Sequence, residues 1–100
     1  MNKVLVIGLD GASFKILEQA FKLGYTPNLH KFVQNGYRRM LKAPLPAESP
    51  ISWPVIFTGL NPGKTGLFGW HDYSNPFRIR LETSQKIVGK AIWDILSTYN

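Results

Sequence analysis

From Lys3 the chain reads Lys-Val-Leu-Val-Ile-Gly-Leu and only then meets a polar pair, Asp10-Gly11. A strand buried on one face alternates apolar and polar residues. A run without alternation is what a strand needs when both faces are covered, as in a parallel sheet flanked by helices. This feature points to an α/β fold, with Lys3 to Leu9 as its first strand. The next residues agree with that assignment. After Ser13 as N-cap, Phe14, Leu17 and Phe21 recur at helical spacing, and Gly24 supplies a stop. Thr26-Pro27 reads as a second N-cap with proline in the first turn. Leu29, Phe32 and Val33 share a face there, and Asn35-Gly36 ends the helix. Tyr37 to Lys42 is the expected second strand.

Between Ala43 and Ser52 the sequence APLPAESPIS carries three prolines and is expected to be irregular. Trp53 to Thr58 is short and apolar, residues 60–77 read as an extended loop, and Arg78 to Leu81 as a brief strand. Ile92, Ile95, Leu96 and Tyr99 then fall at the spacing of an amphipathic helix. A β-α-loop-β-α series without a following strand reads as one incomplete α/β segment, residues 1–100, at the N-terminal side of a larger sheet.

Composition narrows the function classes. The chain is 44% hydrophobic and 18% charged, which suits a globular protein. No apolar run approaches the roughly 20 residues of a membrane span. Asp10 interrupts the N-terminal apolar run before a signal-peptide core is reached, so the expected location is the cytoplasm. With no cysteine, a bound metal would rest on oxygen and imidazole ligands. Twelve Lys and Arg against six Asp and Glu give a formal charge of +6, but the basic residues are dispersed and form no nucleic-acid arm. The field favours phosphorylated ligands without specifying a nucleic acid.

Three places can carry chemistry. Thr58 to Gly66, TGLNPGKTG, spells G-x-x-x-G-K-T from Gly59, one residue shorter than a P-loop, and LFGWHDYSNP follows where a P-loop requires a helix. It reads as a turn. Asp10 follows a strand that would end at the ligand crevice of a parallel sheet. A carboxylate there either binds a metal or serves the turn and the helix after Ser13. Ser49 precedes a helical turn expected to begin at about Pro50 to Trp53, where its hydroxyl either meets an anion or caps the turn. Ser52 offers the same hydroxyl three residues on, and the residues alone do not separate the two.

Taken in order, VLVIGLDGA, TPNLHKFVQNG, a serine ahead of a Pro-Trp segment, VIFTGLNPGKTGLFGW and KIVGKAIWDIL resemble the N-terminal portion of the type I phosphodiesterase/nucleotide pyrophosphatase family of the alkaline phosphatase superfamily. The similarity covers essentially all 100 residues. It implies a three-layer α/β/α fold with a mainly parallel sheet. It also implies a hydrolase of phosphate esters that holds two divalent metal ions, usually zinc and sometimes manganese. Asp10 matches the family's first-strand metal ligand. Ser49, nine residues before Thr58, matches the nucleophile that lies between the two metals and forms a covalent phosphoseryl intermediate. TGLNPGKTG matches the turn that closes the helix behind that nucleophile. Trp70 stands where some members have a phosphate-binding asparagine. His71 is expected in a loop and His30 on a solvent-facing helix surface, neither with the spacing of the remaining metal ligands. The sulfatase pattern C/S-x-P-x-R is absent. A homo-oligomer is left open, and the alternative from another class is a small non-catalytic α/β module binding a phosphorylated ligand or partner.

Overall fold

The computed structural model describes residues 3–99, and the chain divides into two units, one running to Leu41 and the other beginning at Lys42. In the first unit, helix α1 spans Phe14–Lys22 and helix α2 spans Pro27–Gln34. The Ser13 hydroxyl accepts the Ile16 N–H at 3.4 Å, a long cap bond. Beyond α1, the Gly24 and Tyr25 N–H groups donate to the Phe21 and Ala20 carbonyls, so the turn consumes acceptors that a helix end leaves open. Thr26 holds the N-cap position of α2 and its carbonyl accepts the His30 N–H at 2.9 Å, but its side chain makes no cap bond, and among the described residues its buried hydroxyl has no hydrogen-bond partner.

The contact between α1 and α2 is aromatic. Phe21 stacks on the His30 ring with centroids 4.6 Å apart, and His30 also pairs with Gln34 at 3.1 Å. His30 is therefore half-buried rather than solvent-facing. Leu29 and Val33 are half-buried as their spacing required, but Phe32 lies exposed on another side of the helix. The Arg38 guanidinium sits over the Phe14 ring at 4.7 Å and donates to Glu18 at 2.9 Å, tying the segment after α2 back to α1.

The two expected strands of this unit are not formed. Lys3 to Leu9 and Tyr37 to Lys42 have no regular secondary structure, and Val4 is 88% exposed. A strand is stabilised by the ladder beside it, and among the described residues neither run has one. The sheet that is present lies in the second unit. It is a two-stranded antiparallel ribbon of β1, His71–Asp72, and β2, Arg80–Leu81, with His71 opposite Leu81 and Asp72 opposite Arg80. His71 is thus a strand residue.

The second unit is organised around helix α3, Ser49–Thr58, followed by the one-turn helix α4, Pro62–Thr65, and by α5, Ile92–Leu96. Short 3-10 turns occupy Ser84–Lys86 and Ser97–Tyr99. Its buried side chains are Ile51 and Pro54 of α3, Thr65 of α4, Leu67 and Ala91. Thr65 is satisfied despite its burial: its hydroxyl donates to the Pro62 carbonyl, and its own carbonyl accepts the Val88 N–H at 3.0 Å. The C-terminal helix differs from expectation. Ser97 and Thr98 hydroxyls bond back to the Trp93 and Ile95 carbonyls, and the chain tightens into a 3-10 turn after Leu96. Trp93, not the Ile92-Ile95-Leu96 stripe, makes the ring contact to α3, 4.7 Å from Phe57.

Candidate active site

Helix α3 begins one residue earlier than the prolines suggest. Pro50 occupies its first turn, where the missing N–H would have had no intrahelical partner, and its fixed φ suits a helix. Glu48 is the N-cap, and its carbonyl accepts the Ser52 N–H at 2.8 Å. Ser49 is therefore the first helical residue and Ser52 lies within the ladder; neither is the cap residue. Pro54 inside the helix removes one ladder bond, a change that alone disfavours a helix by about 3 kcal/mol. Pro54 is nonetheless buried, as is Ile51 three residues before it on the same helix. Thr58 closes the helix from within, its hydroxyl donating to the Pro54 carbonyl at 2.6 Å and accepting the Leu60 N–H at 3.2 Å.

Gly59 follows with φ 68°, a left-handed conformation that glycine adopts without strain, and its N–H donates to the Val55 carbonyl. Asn61 then caps α4, its side-chain oxygen accepting the Lys64 N–H at 3.0 Å. Lys64 sits in a four-residue helix that stops at Gly66, so TGLNPGKTG is a helix stop followed by a single turn. This is the turn expected from the sequence, and a P-loop is excluded. Residues 60–77, expected as one extended loop, contain both α4 and β1.

An open cleft of ≈ 250 Å³ lies beside Ser49. Ser49 and Trp53 share one helix face at i and i+4, and Leu67, Trp70, Glu82 and Ile87 complete the walls used here. The Trp70 backbone is fixed by the ribbon, because its carbonyl accepts the Glu82 N–H at 2.9 Å. Glu82 also receives the Lys86 ammonium at 2.9 Å, and Lys86 reaches Asp72 at 3.1 Å, so one cation lies between two carboxylates. The Ser74 backbone N–H donates to Asp72 at 2.9 Å; with the Ser74 side chain and Lys86 it holds the Asp72 carboxyl down at about 2. Hydrogen bonds to Glu82 and then to Asp72 raise the Lys86 pKa. This cluster was not foreseen. The i, i+4 spacing of Glu82 and Lys86 was its one visible signal.

Asp10 belongs to the first unit, in the exposed turn with Gly11, and Ser49 to the second. Residues 4–98 match the sequence model of the type I phosphodiesterase/nucleotide pyrophosphatase family. The chain belongs to that family. No curated protein and no solved structure gives a significant match. Membership makes the fold class alkaline phosphatase-like α/β and the chemistry that of a phosphodiesterase/pyrophosphatase-like hydrolase, in a family that is generally metal-dependent. No helix among the described residues is long and apolar enough to cross a membrane. Among those residues no three His, Asp or Glu side chains gather where a metal could be held. One carboxylate and one hydroxyl fall short of the roughly four ligands a zinc ion takes, so the described residues alone do not make a metal centre.

Proposed function

We propose that this chain carries the nucleophile-bearing part of a phosphodiesterase or nucleotide pyrophosphatase, with Ser49 as the nucleophile and Asp10 and Ser49 as its contributions to a two-metal centre of zinc or manganese. The observation that supports this reading most is the family match over residues 4–98, joined to the position of Ser49 at the start of α3, nine residues before the Thr58-Gly59 stop. The other ligands would come from outside residues 3–99. The two apolar tracts, Lys3 to Leu9 and Tyr37 to Lys42, would enter the mainly parallel sheet of a three-layer domain.

The substrate is a phosphate ester. The Ser49 Oγ forms a bond to phosphorus as the ester P–O bond breaks, and the departing alcohol takes up a proton. Water then cleaves the phosphoserine and restores the hydroxyl. The start of α3 suits this step, since the partial positive charge of a helix N-terminus favours the anion that reacts there.

The test is kcat toward bis-p-nitrophenyl phosphate for three variants of the complete gene product. Ser49→Ala is expected to lower kcat by about a thousandfold or more, as loss of a nucleophile does. Ser49→Thr keeps the hydroxyl and measurable activity. Ser52→Ala is expected to leave kcat within about twofold, because its hydroxyl is not the reacting group. A dead Ser52→Ala beside a near-normal Ser49→Ala would move the nucleophile one helical turn.

A further inference from the structure

We propose that Asn35-Gly36, the stop of helix α2, is a site of covalent self-modification, at which the Asn35 amide is lost through a cyclic imide to give aspartate and isoaspartate. The reaction makes three demands on the chain. The backbone nitrogen of the next residue must reach the asparagine Cγ, nothing bulky may stand beside that nitrogen, and the backbone must be free to turn. Among the asparagines of the described residues, Asn35 alone meets all three. Glycine follows it, with no Cβ to hinder the approach and the widest choice of backbone conformation. Asn61 and Asn75 are each followed by proline, whose nitrogen has no hydrogen to give up, and Asn28 precedes Leu29 inside α2.

The local structure leaves the pair open to reaction. Asn35 and Gly36 are exposed, and the residues after them have no regular secondary structure. The Gly36 N–H, which supplies the nucleophile once deprotonated, donates to the Val33 carbonyl at 3.4 Å, a long bond at a helix end. The Asn35 side-chain amide donates to the Lys31 carbonyl at 2.9 Å and must leave it. That departure strands no group, because the same carbonyl keeps the Asn35 backbone N–H at 3.2 Å and the freed amide meets water. Glycine at 36 has a steric reason of its own, since a Cβ there would lie 3.1 Å from the Phe32 carbonyl oxygen. The stop that suits glycine thus creates the reactive pair.

In the first step the Gly36 nitrogen bonds to the Asn35 Cγ, the Cγ–Nδ2 bond breaks, and ammonia departs with the proton from Gly36. Water then opens the imide. Opening at the side-chain carbonyl gives aspartate, and opening at the main-chain carbonyl gives isoaspartate, with the chain rerouted through Cβ. Either product sets a carboxylate at the C-terminus of α2, where the helix dipole disfavours negative charge, and a carboxylate cannot donate to the Lys31 carbonyl. The end of the helix loosens.

To test this, the complete gene product is held folded in mildly alkaline buffer, sampled over time and digested with trypsin, which separates Phe32 to Arg38 from the Asn28 peptide, Leu23 to Lys31. Mass spectrometry is expected to show ammonia exchanged for water at Asn35 about tenfold faster than at Asn28 or more, a barrier difference of about 1.4 kcal/mol. An isoaspartyl methyltransferase should label the product, and Asn35→Gln, whose longer side chain disfavours ring closure, should lose both signals. Asn35→Asp, which carries the new charge from the outset, should speed amide hydrogen exchange at the end of α2. Equal rates at Asn35 and Asn28, or conversion seen only after denaturation, would overturn the proposal. Conversion without isoaspartate would overturn it too, since it would mean direct hydrolysis of the amide, and unchanged exchange in Asn35→Asp would remove the consequence for the helix.

Discussion

Lys86 holds Asp72 and Glu82 together, and the two ends of this cluster respond to opposite extremes of pH. The Asp72 carboxyl titrates at about 2 against its ordinary 3.8. A depressed folded pKa means that its contribution is complete above 3.8 and is lost as pH falls toward 2. Lys86 is raised above 10.5, so its contribution is complete below that value and is lost as pH rises through the higher folded one. Between these limits neither of these two contributions changes with pH. Lys86→Met is expected to move the Asp72 titration only part of the way back to 3.8, because the largest cause, the Ser74 N–H, remains; carboxyl carbon NMR against pH measures it. Full return to the ordinary value would show that Lys86 is the controlling partner. Glu82 with Lys86 was visible as a spacing. Asp72 was not, since it reaches Lys86 only because the ribbon folds residues 71–81 back on themselves. Ser49 was legible as a pair with Ser52 and was separated from it by resemblance.

Among the elements, α1 and α2 were the most legible, because a serine cap, a first-turn proline and the Gly24 and Asn35-Gly36 stops are local devices, whereas Ala43 to Ser52 was expected to be irregular although residues 49–52 are helical. Helix α3 starts at Ser49, ahead of the Pro50 to Trp53 range expected, since proline breaks a helix interior and yet suits a first turn. Two glycines here differ in what they require. A Cβ on Gly59 would meet no atom within 4 Å, so Gly59→Ala pays only for its left-handed backbone, about 1 kcal/mol. Gly89 has φ 117°, and a Cβ there would come 2.5 Å from the Leu60 Cδ1. Gly89→Ala must shift Leu60 as well and is expected to lower Tm by clearly more than Gly59→Ala. Thermal unfolding followed by circular dichroism decides it, and equal losses would show that the Leu60 side chain simply turns aside. Asp94 illustrates a cap legible only in three dimensions: its carboxylate reaches back to the Ala91 N–H at 2.8 Å, although Ala91 offers no side-chain acceptor in return.

For the whole molecule, the parallel sheet was the feature that sequence reasoning placed and the described residues do not form. An apolar pattern such as that of Lys3 to Leu9 shows that both faces of a strand could be covered, and it says nothing about whether a neighbouring strand is present. Without a cluster of metal-binding side chains among its described residues, the 100-residue chain is expected to show no appreciable turnover of bis-p-nitrophenyl phosphate with zinc or manganese. Metal-dependent hydrolysis abolished by Asp10→Ala would overturn that expectation. The exposed first tract also separates two properties that usually travel together. Ile7 is 71% exposed, and Val6→Lys or Ile7→Lys in this chain should leave its unfolding midpoint nearly unchanged, as most surface substitutions do. If Lys3 to Leu9 enters a parallel sheet, as proposed above, the same charges should abolish soluble expression wherever that sheet is assembled. A mutational scan scored on the structure described here would then rate positions 4–7 as freely replaceable, and one scored on the assembled sheet as among the least tolerant.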